Sequence, residues 1–207
     1  MKKLSYLISS GGRFHNFEVA KVLYSRNQLH KIISGYPWFK LKREKIPKSF
    51  VECFGLFGGL IFLHRKMKYQ SKYITENLDI LNLTNIDRMS LKHINQADVF
   101  LSLSGTGLNT GKEIKKNNKI YICERSSSHI LEQQKILKDE YKSLDLQSIN
   151  TNKWVIEREL EEYNVSDIIL VPSLFAKKSF ENYLPNMNKV HAINFGINLQ
   201  NFYPVHP

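Results

Sequence analysis

Three short loops hold the residues whose types and spacing could do chemistry. The first, Ser9-Ser10-Gly11-Gly12-Arg13, follows an apolar run and opens a helical one. Paired glycines allow close backbone approach, free N–H groups at a helix start favour an anion, and Arg13 adds charge. A plain tight turn would use the same residues. The second, Ser104-Gly105-Thr106-Gly107-Leu108-Asn109-Thr110-Gly111-Lys112, is glycine-rich but departs from both nucleotide fingerprints. The dinucleotide motif needs glycine where Thr110 stands. The P-loop needs its first glycine at Thr106 and a Ser or Thr where Glu113 stands. What is left is a flexible loop around Gly105, with Asn109 or Thr110 expected to cap the next helix. The third, Glu124-Arg125-Ser126-Ser127-Ser128-His129, joins a strand to a long helix. Backbone N–H groups, hydroxyls and an imidazole together suit sugar hydroxyls or phosphate oxygens. Arg125, Ser127 and Ser128 are its candidate binding groups and His129 its candidate catalytic group. The plainer alternative is that Ser127 or Ser128 caps the helix and His129 is exposed. No G-x-S-x-G elbow accompanies the serines, which argues against a hydrolase.

The elements that must position these loops alternate between short apolar strands and helical stretches. Strands are predicted at residues 4–9, 29–34, 97–103, 119–123, 167–171 and 189–195. Helices are predicted at 14–25, 110–116, 130–144, 154–163 and 175–183, on periodic apolar positions such as Ile130, Leu137, Tyr141 and Leu144. Ser173 stands where it would cap the last of these helices. The glutamates of 154–163 read as a solvated face. Such alternation predicts a Rossmann-like, three-layer α/β/α domain with a mostly parallel sheet. Ligands of such sheets bind at the carboxyl ends of the strands, where Gly11, Gly12, Arg13, Gly105, Arg125, Ser127, Ser128, His129 and Ser173 all fall.

The chain of 207 residues carries a formal net charge of +11. That balance implies attraction to phosphate ligands, an anionic membrane or nucleic acid, or simply a basic solvated surface. No RNP, helix-turn-helix or zinc-finger pattern supports nucleic acid. Cys53 and Cys123 each lie in an apolar run and read as core residues of a reducing compartment. No metal-ligand spacing, D-x-D or H-E-x-x-H occurs, so no metal or other cofactor is expected. The apolar residues after Lys2 and Lys3 are too few for a signal peptide, and the run 50–63 is too short to span a bilayer. These features point to a cytoplasmic protein.

The order of these motifs resembles the N-terminal domain of family 4 glycosyltransferases, which have the two-domain architecture called GT-B. The residues that carry the resemblance are the Gly-Gly loop, Ser104-Gly105-Thr106-Gly107-Leu108, Glu124–His129, Trp154-x-x-Glu-Arg-Glu-Leu-x-Glu-Tyr163, Val171-Pro172-Ser173, and Phe195-Gly196-Ile197-Asn198 followed by Phe202-Tyr203-Pro204. Phe195 departs from the family's usual Asn. The resemblance implies metal-free transfer of a sugar from a nucleotide-sugar donor to a glycan or lipid-linked acceptor, with retention of configuration. It places Gly12 near the donor diphosphate and His129 at the donor sugar. It divides the chain into an acceptor-side domain at 1–196 and a linker at 197–207, with the donor-binding domain lying beyond. The isolated chain is then expected to be inactive. A non-catalytic module that binds a glycan or a partner subunit is the alternative.

Residues 36–48 mix aromatics with Lys40, Lys42, Arg43, Lys45 and Lys48, and the apolar run 50–63 follows. This order suits peripheral docking on anionic lipids at the inner face of the cell membrane. An ordinary buried helix with a basic edge fits it as well.

Overall fold

A computed structural model describes residues 3–54, 59, 61, 63, 64, 66, 71–147 and 150–196. Seven parallel strands form one sheet in the order β3-β2-β1-β4-β5-β6-β7. They are β1 (Tyr6–Ser10), β2 (Leu29–Ser34), β3 (Val51–Cys53), β4 (Val99–Leu103), β5 (Ile120–Glu124), β6 (Ile168–Val171) and β7 (Val190–Ala192). The principal helices are α1 (Asn16–Ser25), α2 (Trp38–Leu41), α3 (Lys72–Leu91), α4 (Leu108–Lys116), α5 (Ile130–Ser143), α6 (Lys153–Val165) and α7 (Leu174–Lys178).

The pleat divides each strand between two cores. Leu7, Ile33, Phe100, Tyr121 and Ile169 pack with Ile86 of α3, Ile114 of α4 and Tyr163 of α6. Their neighbours Ile8, Ile32 and Leu101 pack with Phe17 and Ala20 of α1 on the opposite face. Successive side chains of a strand point to opposite faces, so an apolar run such as VFL serves both layers. Each fully buried Leu or Ile contributes roughly 1.5–3 kcal/mol. The sheet therefore has helices on both faces, the Rossmann-like arrangement its alternation predicts.

Several boundaries differ from the sequence reading. β2 spans the predicted residues, whereas the last strand keeps only Val190–Ala192 of 189–195. Helix α5 forms as expected, but of its predicted apolar face Ile130 is buried while Leu137 and Leu144 are exposed. Helix α3 and edge strand β3 have no counterpart in the sequence reading. Most of the run 55–70 and the linker at 197–207 lie outside the described residues. Cys53 and Cys123 are both free, with Cys123 fully buried.

Candidate functional site

β1 and β4 are neighbours, but the chain leaves them in opposite directions, so a crevice opens beyond their carboxyl ends. The first two sequence loops meet there. Gly11 and Gly12 follow β1, and Ser104 to Gly107 follow β4. Ser9 and Thr106 join the two loops through their hydroxyls at 2.8 Å. The Gly12 carbonyl accepts from Ser10 Oγ at 3.0 Å and from Ser34 Oγ at 3.2 Å. A Cβ on Gly12 would stand 3.1 Å from the Tyr36 ring, so the glycine permits this close approach. A cavity of about 470 Å³ lies between these loops, α3 and the start of α6; Gly11, Tyr36, Glu76, Asp79, Asn82 and Ser104 contribute to its wall. Arg13 does not join them: its guanidinium pairs with Glu44 at 3.0 Å.

The β4 loop is held from behind by α6. Glu162, fully buried, accepts from the Gly105 N–H at 2.5 Å and the Gly107 N–H at 2.8 Å. Arg158 donates to the Gly105 carbonyl at 2.7 Å and to Asp87 of α3 at 2.5 Å. Burial pushes the Glu162 carboxyl up to about 8, against the pull of Arg158 and the two N–H donors. The glutamates of this helix are thus not one solvated face. Glu157 and Glu161 are exposed, but Glu159 and Glu162 turn inward because two arginines meet them there. Gly105 adopts φ +86°, a conformation that favours glycine. Helix α4 is capped neither by Asn109 nor by Thr110; Asp87 takes the N–H groups of both, at 2.8 and 2.9 Å.

The third loop is built into the fold. Arg125 donates through Nε to the Ser128 carbonyl at 3.0 Å and through Nη1 to Glu159 at 3.0 Å and Ser104 at 3.3 Å. Ser128 is buried and Ser127 half-buried. His129 is only 1 % exposed. Its Nδ1 accepts from the Leu131 N–H at 3.3 Å and caps α5; the His129 backbone N–H donates to Ser179 Oγ at 2.7 Å. The ring stacks on Tyr183 with centroids 4.4 Å apart, and Phe180 and Tyr163 close around it. Burial, with the Arg125 charge adding to it, lowers its pKa to about 4, so the ring is neutral. The plainer alternative for this loop does not hold: the histidine itself is the cap, not Ser127 or Ser128, and it is buried rather than exposed. Ser173 caps α7 as expected, accepting from the Ala176 N–H at 3.1 Å.

An imidazole that the sequence reading passed over, His15, lines a cavity. At the start of α1, His15 Nε2 pairs with Glu124 Oε1 at the end of β5. The other Glu124 oxygen takes the Asn16 amide at 2.6 Å, and the Phe195 ring lies tilted against the imidazole with centroids 4.1 Å apart. His15, Glu124 and Phe195 border a second cavity of about 490 Å³ along α1. An imidazole held by a carboxylate can exchange a proton or hydrogen-bond a hydroxyl. Glu124 begins the loop the sequence singled out, but nothing in the spacing tied it to His15. Among the described residues no group of three or more His, Cys, Asp or Glu could hold a metal ion.

No protein-family model matches the chain, and no curated protein does. Solved structures do. A UDP-glucosyltransferase from Polygonum tinctorium that glucosylates indoxyl matches over 100% of this chain and 56% of its own, at 10% identity and a TM-score of 0.53. Phytolacca americana UGT2, solved with UDP-2-fluoro-glucose and pterostilbene, matches over 92% and 52%, at 12% identity and 0.54. The calicheamicin glycosyltransferase CalG4 matches over 100% and 56%, at 12% identity and 0.52. The chain thus spans about half the length of these solved chains. Its fold is that of a half of the GT-B architecture.

Proposed function

We propose that this chain is the acceptor-side half of a GT-B glycosyltransferase that moves a hexosyl group from a nucleotide-sugar donor to a glycan or lipid-linked acceptor. The observation that carries the proposal is the cavity at the β1/β4 switch point, walled by the Gly11 and Ser104 loops, in a fold shared with glycosyltransferases, a UDP-glucosyltransferase among them. In this reading the Gly11–Gly12 backbone and the Gly105 loop border the path of the donor diphosphate, with Arg125 fixing the loop geometry behind them. His15 and Glu124 are a titratable pair bordering the second cavity, whereas His129 orders the third loop. Retention of configuration, metal-free transfer and a donor domain following residue 196 rest on the sequence resemblance. So does the expectation that the 207 residues transfer no sugar by themselves.

A membrane contact belongs to the same proposal. Phe39 is exposed beside exposed Lys42, Arg43, Lys45 and Lys48, while Leu41 and Ile46 root the segment in the core. Among the described residues no helix is long and apolar enough to cross a membrane. An exposed aromatic residue in a segment rich in exposed cations suits peripheral docking on anionic lipid at the inner face of the cell membrane. Flotation with anionic and neutral liposomes tests this; equal recovery with both would sink it. For the activity, the test is acceptor-dependent release of nucleoside diphosphate by the full-length protein from a panel of nucleotide sugars. No acceptor-dependent release from any donor overturns the proposal.

A further inference from the structure

At the β3 edge of the sheet, three titratable side chains form a hydrogen-bonded row away from both cavities. His93, just past the end of α3, donates from Nε2 to Glu52 Oε2 of β3 at 2.7 Å. Its Nδ1 meets His30 Nε2 of β2 at 3.4 Å, with ring centroids 5.4 Å apart. Ile33 packs against α3, and Glu52 stands beside it in register, so the sheet presents Glu52 to the end of that helix. The row therefore joins α3 to β2 and to β3, a three-residue edge strand paired with β2 alone.

Where the protons sit follows from the chemistry. The Glu52 carboxylate only accepts, so His93 Nε2 carries a hydrogen. In the neutral pair, His93 Nδ1 then accepts from His30 Nε2–H. One added proton is shared: His93 Nδ1–H donates to His30 Nε2, His30 keeps its hydrogen on Nδ1, and Glu52 faces the cation. A second proton sets N–H against N–H and brings two cations into contact. The two imidazoles thus titrate as a unit, in two steps. Burial, then the charges of His93 and Lys31, push His30 below the ordinary histidine range.

The charged groups on the surrounding elements do not undo this. Lys31 is on β2, and Arg88 and Lys92 are on or just past α3, with Lys92 at 4.0 Å from the other Glu52 oxygen. Lys119, ahead of β5, is turned to the Ile94 and Asn95 carbonyls, and Asp98, ahead of β4, accepts the Ser5 N–H. Glu52 is the carboxylate in contact with the pair. An unfolded chain takes up both protons near pH 6.5, at about the ordinary histidine value, whereas the folded row resists the second. The row is therefore closed at neutral pH and above, and weakens as the pH falls below that value.

We propose that this row is a proton-operated clasp: it fastens the end of α3 to the β2–β3 edge while the two imidazoles hold one proton or none between them, and releases that edge when both are protonated. The helix it fastens is the one that borders the switch-point cavity through Glu76 and Asn82, so acidification loosens the anchoring of a cavity wall.

The test is hydrogen exchange of the 207-residue protein, followed by nuclear magnetic resonance from pH 8 to pH 5 and corrected for the intrinsic pH dependence of exchange. The imidazole nitrogen shifts are recorded alongside. The reporters are the Phe54 amide, which donates to the Ser34 carbonyl, and the His93 amide, which donates to the Ser90 carbonyl. Protection of both is expected to fall about tenfold, in step with the second protonation of the pair. His30→Gln keeps an Nε2 donor but does not titrate, and should hold protection level over the same range. Glu52→Gln takes the counter-charge from the doubly protonated pair and should move the release to lower pH or below the range. A fall in protection that persists in His30→Gln, or a release in Glu52→Gln at the wild-type pH or higher, overturns the proposal. So does protonation of both rings with protection unchanged, or no second protonation above pH 5.

Discussion

The Glu162 carboxylate holds the Gly105 and Gly107 N–H groups at 2.5 and 2.8 Å, so helix α6 sets the shape of the loop after β4. Both carboxylate oxygens are engaged, and Arg158 lies behind them. Glu162→Ala would leave two buried N–H groups unanswered, while Arg158 keeps Asp87 and the Gly105 carbonyl. Each orphaned buried donor costs about 1–3 kcal/mol, so the loss is roughly 2–5 kcal/mol. Urea unfolding of the variant should show a loss of that size; a change under about 1 kcal/mol, the level of an exposed ion pair, would mean that the network does not hold the loop.

Gly111 and Gly105 should respond differently to alanine. A Cβ at Gly111 would collide with the Tyr121 ring, which is fully buried and hydrogen-bonded to Ser102 at 2.9 Å. Gly111→Ala is expected to destabilise by about 1–3 kcal/mol through overpacking. At Gly105 the space is open, with Leu83 at 3.6 Å, and only the positive φ resists. Gly105→Ala is expected to cost about 1–2 kcal/mol through backbone strain alone. Thermal denaturation of the two variants checks the order, and a Gly105→Ala loss larger than that of Gly111→Ala would contradict it.

His129 makes stability depend on pH in a definite direction. Its folded pKa of about 4 lies below the ordinary 6.5, because burial and Arg125 disfavour the cation. Between these values the unfolded chain binds a proton that the folded chain refuses. Stability therefore falls as pH drops from 6.5 toward 4, by on the order of 3 kcal/mol in full. His129→Asn keeps a capping acceptor but does not titrate. Denaturation midpoints of wild type and variant, compared from pH 7 to about 4, should converge as the pH falls. Parallel curves would show that His129 is not the group responsible.

His15 and Glu124 act as one unit if their pairing matters for activity. In the full-length protein, His15→Ala and Glu124→Gln should each lower sugar transfer by about tenfold to a hundredfold, the value of a charge-assisted hydrogen bond. The double variant should be little worse than either alone. Additive losses would show that the two residues work separately.

What the sequence disclosed and what it hid follow from where the information lies. Strands such as Leu29–Ser34 were legible because their apolar runs are local and end at Gly or polar turns. Helix α3 was not, because at the buried positions of Lys72–Leu91 stand Asn82, Asp87 and Ser90 as well as Ile86, which blurs any apolar stripe. With α3 went Glu76, Asp79 and the Asp87 cap of α4. The inward glutamates of α6 look like solvated ones until Arg125 and Arg158 are seen to meet them. His129 stood at a helix start as expected, but its burial depends on Phe180 and Tyr183, some fifty residues later in the chain. The loops after β1 and β4 were placed correctly because a parallel sheet puts every such loop on one edge.

The most direct measurement is the product analysis of the full-length protein supplied with a nucleotide sugar and a saccharide. The account expects nucleoside diphosphate release only when the saccharide is present, together with a glycoside whose anomeric configuration matches that of the donor. Release that ignores the saccharide, or an altered sugar nucleotide with no glycoside formed, would contradict it.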